Sequence, residues 1–70
     1  MIDPNVQCHV RHIRAAGMCM SGAREWFKRH DMSWSEFLAE GRPSGDFVET
    51  GDPLALRMVE AAVKEADNGR

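Results

Sequence analysis

Residues 21–41, SGAREWFKRHDMSWSEFLAEG, decide the fold, because they contain two short helix patterns joined by a tight turn. In the first pattern, apolar and aromatic residues recur at helical spacing, namely Ala23, Trp26, Phe27 and His30. The second pattern begins at Ser33 and Glu36, which have the spacing of a capping box. Its apolar stripe consists of Trp34, Phe37 and Leu38, and Gly41 continues this spacing and ends the helix. The stretch predicts two helices in helix–turn–helix order.

The segment before this pair predicts a first helix. Asp3 followed by Pro4 is a typical helix start. The residues that share one face of this helix are Val6, Val10, Ile13 and Gly17, so we expect it to run to about Ala16.

The segment after the pair predicts a last helix from Pro53 to Asn68. Its apolar line is Ala55, Val59, Ala62 and Ala66. Between the pair and this helix, one helical turn in residues 44–50 is expected to carry Phe47 and Val48 into the core. No alternating strand pattern of useful length is present. Residues 1–70 are therefore predicted to form a single all-α domain, a compact bundle of four short helices with a helix-turn-helix-like central pair; three helices plus a turn is the alternative.

Size and composition favour binding over catalysis. A 70-residue chain buries only about 60% of its unfolded surface, so a deep active site would compete with the core for the same apolar side chains. No nucleophile elbow, glycine-rich loop or pair of carboxylates brings catalytic residue types together. We expect no enzyme activity and no cofactor.

The net charge of −2 conceals an uneven distribution, because residues 1–30 carry a balance of +3 and residues 31–70 a balance of −5. Such a chain can associate with itself head to tail, or present one charged face to a partner. The other interpretation is that the positive and negative residues happen to be separated along the chain and only face solvent.

DNA binding is a hypothesis that the helix–turn–helix order invites. The second helix is expected to present Ser35, Glu36, Ala39 and Glu40 outward, and carboxylates are repelled by phosphates. Phe27 also occupies a position where such motifs have a small residue. The alternative function is therefore a DNA-binding regulator that uses the basic face of the first two helices, made of Arg11, Arg14, Arg24, Lys28 and Arg29.

Zinc-ligand residue types occur near the N-terminus. Cys8 and His12 could share an ion on one helix face, and Cys19 could join them only if the chain bends at Gly17. The spacing matches no compact zinc pattern, so we expect two small buried thiols and surface histidines at His9 and His12. The sequence alone leaves a metal site at Cys8, His12 and Cys19 open.

Methionines and tryptophans supply adaptable apolar surface. Most are expected to fill the core, but in so small a chain one tryptophan is expected at the edge of a groove. The predicted partner-binding residues are Trp26, Met32 and Trp34. The partner is predicted to be another protein or a second copy of this chain. Nucleic acid is less favoured, and neither a membrane nor a small-molecule substrate is expected.

The chain is expected to be cytoplasmic with reduced cysteines. No apolar run approaches the roughly 20 residues of a membrane span, and the opening MIDPN has no basic or apolar signal region.

Several short motifs are shared with a group of phage proteins. They are IRAAG at residues 13–17, Cys19, GAREWF at residues 22–27, residues 34–41, and TGD at residues 50–52. The stretch from His12 to Ala62 resembles small uncharacterised proteins of tailed-phage and prophage genomes. The resemblance implies a bacterial cytosol and a phage-related role, and it assigns no activity or site residue. The leading hypothesis is a small prophage-type accessory protein that binds a protein partner or itself.

Overall fold

Five helices and two short strands follow one another along the chain in the computed structural model, which describes residues 6–68. They are β1 (Gln7–Cys8), α1 (Val10–Ala15), α2 (Met20–Arg29), α3 (Trp34–Glu40), β2 (Arg42–Pro43), α4 (Ser44–Val48) and α5 (Pro53–Asn68). The described chain is mostly helical, as predicted. The expectation of four helices and no strand is corrected, because residues 44–48 form a separate helix and two short strands, one before α1 and one after α3, form a small sheet.

The sheet joins the start of the described chain to its middle. β1 and β2 pair antiparallel, with Gln7 opposite Pro43 and Cys8 opposite Arg42. The backbone N–H of Ser44 donates to the carbonyl of Val6 at 2.8 Å and extends this contact. Residues 7–8 were predicted to belong to the first helix, but they form strand β1 instead. The predicted start at Asp3 and Pro4 lies outside the described residues.

Gly41 allows the chain to pass from α3 into β2. Its φ of 78° and ψ of −171° lie in a region that is essentially restricted to glycine. A Cβ at this position would lie 2.6 Å from the carbonyl oxygen of Cys8 and 2.5 Å from Cε1 of His9. Gly41 is therefore required both by its dihedral angles and by the close approach of β1.

Helix α1 buries His12, which was expected on the surface. The helix begins at Val10 with His9 at its N-cap, and His12 Nδ1 accepts a hydrogen bond from the His9 N–H at 2.8 Å. Because α1 packs against α5, the adjacent residues His12 and Ile13 are both enclosed, with 2% and 0% of their surface exposed. The surface prediction for His12 is wrong because it did not include this contact.

The α2–turn–α3 segment follows the predicted order. α2 begins at Met20, one residue before the predicted cap at Ser21, with Cys19 at its N-cap. Asp31 lies in the turn with a φ of 56°, a conformation that aspartate tolerates better than most residues. The cap at Ser33 is confirmed, because its Oγ accepts from the Glu36 N–H at 3.2 Å.

One cluster of buried side chains includes residues from all five helices and from β1. Its members are Cys8, Ile13, Trp26, Phe27, Phe37, Phe47, Ala55, Met58, Val59 and Ala62. Phe37 faces Phe27, with ring centroids 4.7 Å apart, which leaves Leu38 on the outer side of α3 with 54% of its surface exposed. The prediction that Leu38 belongs to the buried stripe is therefore wrong. Phe47 is buried in the core, as predicted. Val48, which was also expected in the core, and Ala66, which was expected on the apolar line of the last helix, are exposed.

Candidate protein-binding groove

An apolar groove of about 390 Å³ lies between α2 and the first two turns of α5, next to the α1–α2 connection. We name it the α2–α5 groove. Its buried lining consists of Ile13, Trp26, Phe27, Phe47, Ala55 and Met58. Its exposed lining residues are Gly17, Cys19, Gly22, Glu25, Arg29, Leu54 and Arg57. The groove is thus an apolar surface with a few charged side chains among its exposed lining.

Helix α2 contributes one continuous face to the groove. Gly22, Glu25, Trp26 and Arg29 recur at i, i+3, i+4 and i+7, which places them along the same side of a helix. A Cβ added at Gly22 would meet no heavy atom within 4 Å. The missing side chain at Gly22 therefore leaves open space at this face.

The indole of Trp26 is fixed in the groove by two contacts. Its Nε1–H donates to Asp52 Oδ2 at 2.8 Å, and the His30 ring stacks on it with centroids 4.0 Å apart. Only 6% of the Trp26 surface is exposed. Because its polar atom already has a partner, Trp26 offers mainly carbon surface to a ligand.

Asp52 helps to form the groove by holding Trp26, a role that was not predicted from the sequence. Its Oδ1 accepts from the Leu54 N–H at 2.9 Å, as a cap at the start of α5, while Oδ2 accepts from Trp26. The hydrogen bond from Trp26, followed by that from Leu54, lowers the pKa of the Asp52 carboxyl. The position of an aspartate directly before Pro53 was the available signal.

The three predicted partner-binding residues do not share this groove. Trp26 lines it, whereas Met32 and Trp34 are absent from the described lining. Both are half-buried against the core, and the Trp34 ring meets Phe27 edge to face at 5.1 Å. A binding role for Met32 and Trp34 stays a prediction.

The five cations proposed for nucleic acid are distributed over different surroundings. Arg11 is engaged with Glu65, with Nη2 and Oε1 2.7 Å apart, and Arg29 lines the groove. Arg24 and Lys28 are one turn apart on another flank of α2 and do not line the groove. Arg14 is exposed on α1.

Arg11, His12 and Glu65 tie α1 to α5. His12 Nδ1 accepts from the His9 N–H, so the neutral ring carries its proton on Nε2, which lies 3.1 Å from Glu65 Oε1. This N–H is poorly aligned with the carboxylate, so the contact is mainly electrostatic. The hydrogen bonds from Arg11, and then the close contact with His12, lower the pKa of Glu65 to about 2. The cluster has a structural role that joins two helices.

The two cysteines lie in different environments. Cys8 is fully buried, as expected, and burial raises the pKa of its thiol to about 11. Cys19 is exposed, so the prediction that it is buried is wrong, because it caps α2 at the surface instead of extending the first helix. The side chain of Ser21, with Oγ 3.1 Å from the Cys19 sulfur, and the backbone N–H groups of Gly22 and Ser21 lower the pKa of this thiol.

The described part of the chain, residues 6–68, contains neither a metal-ligand cluster nor a membrane-spanning helix. In that range no three His, Cys, Asp or Glu side chains are placed to hold a metal ion together. Among the same residues, no helix combines the length and the apolar character needed to cross a membrane.

Comparison with protein-family models, with curated proteins and with solved structures gives no match. The groove and the charges around it therefore carry the functional conclusion.

Proposed function

We propose that this chain is a protein-binding module whose α2–α5 groove receives apolar side chains of a partner protein. The observation that carries the proposal is the groove itself, about 390 Å³ of mostly apolar surface beside the open space at Gly22. Grooves of this kind between helices are a recurrent way to bind an amphipathic segment. Binding is favoured because most of the lining is apolar and its charged residues, Glu25, Arg29 and Arg57, are exposed around it.

The resemblance to small proteins of tailed phages supports a prophage-type accessory role in the bacterial cytoplasm. In this proposal the helix-turn-helix-like pair of α2 and α3 serves as a scaffold. The ring of Phe37 packs against Phe27 on α2, and Phe47 closes the cluster at 5.9 Å from Phe37. This packing supports α2 and the Phe27 ring, which is part of the groove lining.

DNA binding is the weaker candidate. The residues that α3 exposes are Ser35, Glu36, Leu38, Ala39 and Glu40, which include no cation. Arg11 is already paired with Glu65, which leaves a dispersed set of positive charges. We expect duplex DNA titrated at two salt concentrations to show no salt-sensitive binding at about micromolar concentrations. Salt-sensitive binding that is lost when Arg24 and Lys28 are replaced by alanine would support the regulator instead.

A displayed peptide library tests the groove directly. Gly22→Leu is expected to fill the open space without disturbing the core, because no atom lies within 4 Å of a Cβ there. Lys28→Leu is the matched control, since it adds a leucine to an exposed position of the same helix outside the groove. We expect peptides to be enriched on the original chain and on Lys28→Leu, but not on Gly22→Leu.

Amide chemical shifts then locate the enriched peptides. Binding in the groove is expected to move the signals of Cys19, Gly22 and Leu54 more than those of α3. Circular dichroism of both leucine variants controls for folding. Equal enrichment on Gly22→Leu, or no enrichment on the original chain, contradicts the proposal.

A further inference from the structure

We infer that the segment bound in the α2–α5 groove is an acidic amphipathic helix whose carboxylates meet Arg29 and Arg57. The inference rests on the proposed function and names the chemistry of the partner.

Arg29 and Arg57 are the exposed cations of the groove lining, and neither forms an ion pair within residues 6–68. Two other arginines of the chain are paired: Arg11 with Glu65, and Arg42 with Asp46 at 2.9 Å. Arg29 and Arg57, like Arg14 and Arg24, have no ion pair within residues 6–68, and their position beside the groove makes them available for carboxylates of a partner.

Neither Asp52 nor Glu25 forms an ion pair with Arg29 within residues 6–68. Asp52 feels the charge of Arg29, but its two oxygens accept hydrogen bonds from Trp26 and Leu54. Glu25 is the third charged lining residue, one turn before Arg29, and it has no ion pair with either arginine in the described chain. The groove lining therefore carries a net positive charge although the whole chain has a net charge of −2.

The two arginines lie at different parts of the groove. Arg29 is the last residue of α2, whereas Arg57 also lines a second depression that includes Glu60 and Glu65 of α5. A partner whose acidic residues flank an apolar stripe can therefore meet both charges while its stripe covers the apolar lining.

Small residues along the lining favour a helical occupant. Gly17, Gly22, Ala23 and Ala55 all face the groove. The distance between packed helix axes depends on side-chain size at the contact, so small residues let a third helix approach closely. A helix presents its apolar side chains at i, i+3, i+4 and i+7, which suits a groove that follows α2.

The test is a displayed library of amphipathic helical peptides with a fixed apolar stripe and random flanking residues. It is selected against the original chain, Arg29→Glu/Arg57→Glu, Arg29→Lys/Arg57→Lys and Gly22→Leu. We expect net negative flanks on the original chain and on the lysine variant, and net positive flanks on the glutamate variant. An enriched acidic peptide is expected to lose about tenfold in affinity on the glutamate variant by fluorescence anisotropy.

The possible results separate the inference from the proposed function. Enrichment on the original chain without any charge preference, or a preference that the glutamate variant does not reverse, overturns the inference alone. No enrichment relative to Gly22→Leu overturns the proposed function as well. Dimers of the original chain in sedimentation equilibrium that Gly22→Leu abolishes would identify a second copy as the occupant and overturn the acidic-helix inference.

Discussion

The substitution Gly41→Ala tests the close approach of β1 to Gly41 at the end of α3. The substitution adds one methyl group at a residue with a φ of 78° and a ψ of −171°. That methyl would lie 2.6 Å from the carbonyl oxygen of Cys8. The His9 ring, also within 2.6 Å, can rotate away, but the carbonyl belongs to the backbone of β1 and moves only if the strand moves.

Two energies contribute to the expected loss of stability. A non-glycine residue in this backbone region costs about 1–3 kcal/mol. An extra methyl group forced into a packed site costs about 1–3 kcal/mol more. The sum of about 2–6 kcal/mol is a large share of the total, since a 70-residue domain has about 4–10 kcal/mol of unfolding free energy.

Urea unfolding followed by tryptophan fluorescence measures the loss, and two other glycines serve as controls. Gly51 has a φ of 69° with nothing within 4 Å of a Cβ, so Gly51→Ala is expected to cost only about 1–2 kcal/mol. Gly22→Ala, in helix α2 and open space, is expected to stabilise by about 0.4–1 kcal/mol. A Gly41→Ala variant within about 0.5 kcal/mol of Gly51→Ala would refute the close approach of β1.

Three further substitutions or reactions test other parts of the structure. The pKa of Glu65 is about 2 in the folded chain against 4.5 ordinarily, so its stabilisation is complete above pH 4.5 and is lost as the pH falls towards 2. Glu65→Gln should flatten that part of a stability curve measured by urea unfolding at several pH values. In the native protein a thiol reagent should modify exposed Cys19 rapidly and buried Cys8 only as the chain opens, and equal rates would contradict their difference in burial. Phe37→Ala should lower the unfolding free energy by about 3–5 kcal/mol and Leu38→Ala by less than about 0.5 kcal/mol, whereas similar losses would mean that α3 is rotated from its observed orientation.

Helices α3 and α5 could be predicted because their signals are local. The hydroxyl of Ser33 meets an N–H only three residues further on, so sequence spacing is enough to place this cap. Pro53 fixes the first backbone dihedral of α5, and the observed helix begins at this residue.

The strand β1 and the burial of His12 could not be predicted, since each depends on a distant segment. Cys8 pairs with Arg42, and two paired residues are too few to produce an alternating pattern. His12 is enclosed because α5 brings Glu65 beside it, and without that contact a histidine near the N-terminus is expected to be exposed.

The groove was predicted only in part. The sequence indicates Trp26 as a candidate for a groove edge, but it does not indicate that α5 lies opposite Gly22. The hydrogen bond that fixes Trp26 is accepted by Asp52, which lies 26 positions later in the chain. Such a site is a property of helix packing and has no short motif of its own.

The packing of α1 against α5 determines when this chain can fold during its synthesis. Arg11 and Glu65 are 54 positions apart, and α5 is the last of the described helices to be translated. Until α5 has left the ribosome, the face of α1 that carries His12 and Ile13 has no cover. Because the entropy cost of loop closure must be overcome before distant residues make contact, folding is expected to be a late step that waits for α5. A nascent chain that stops before Pro53 should therefore remain sensitive to protease.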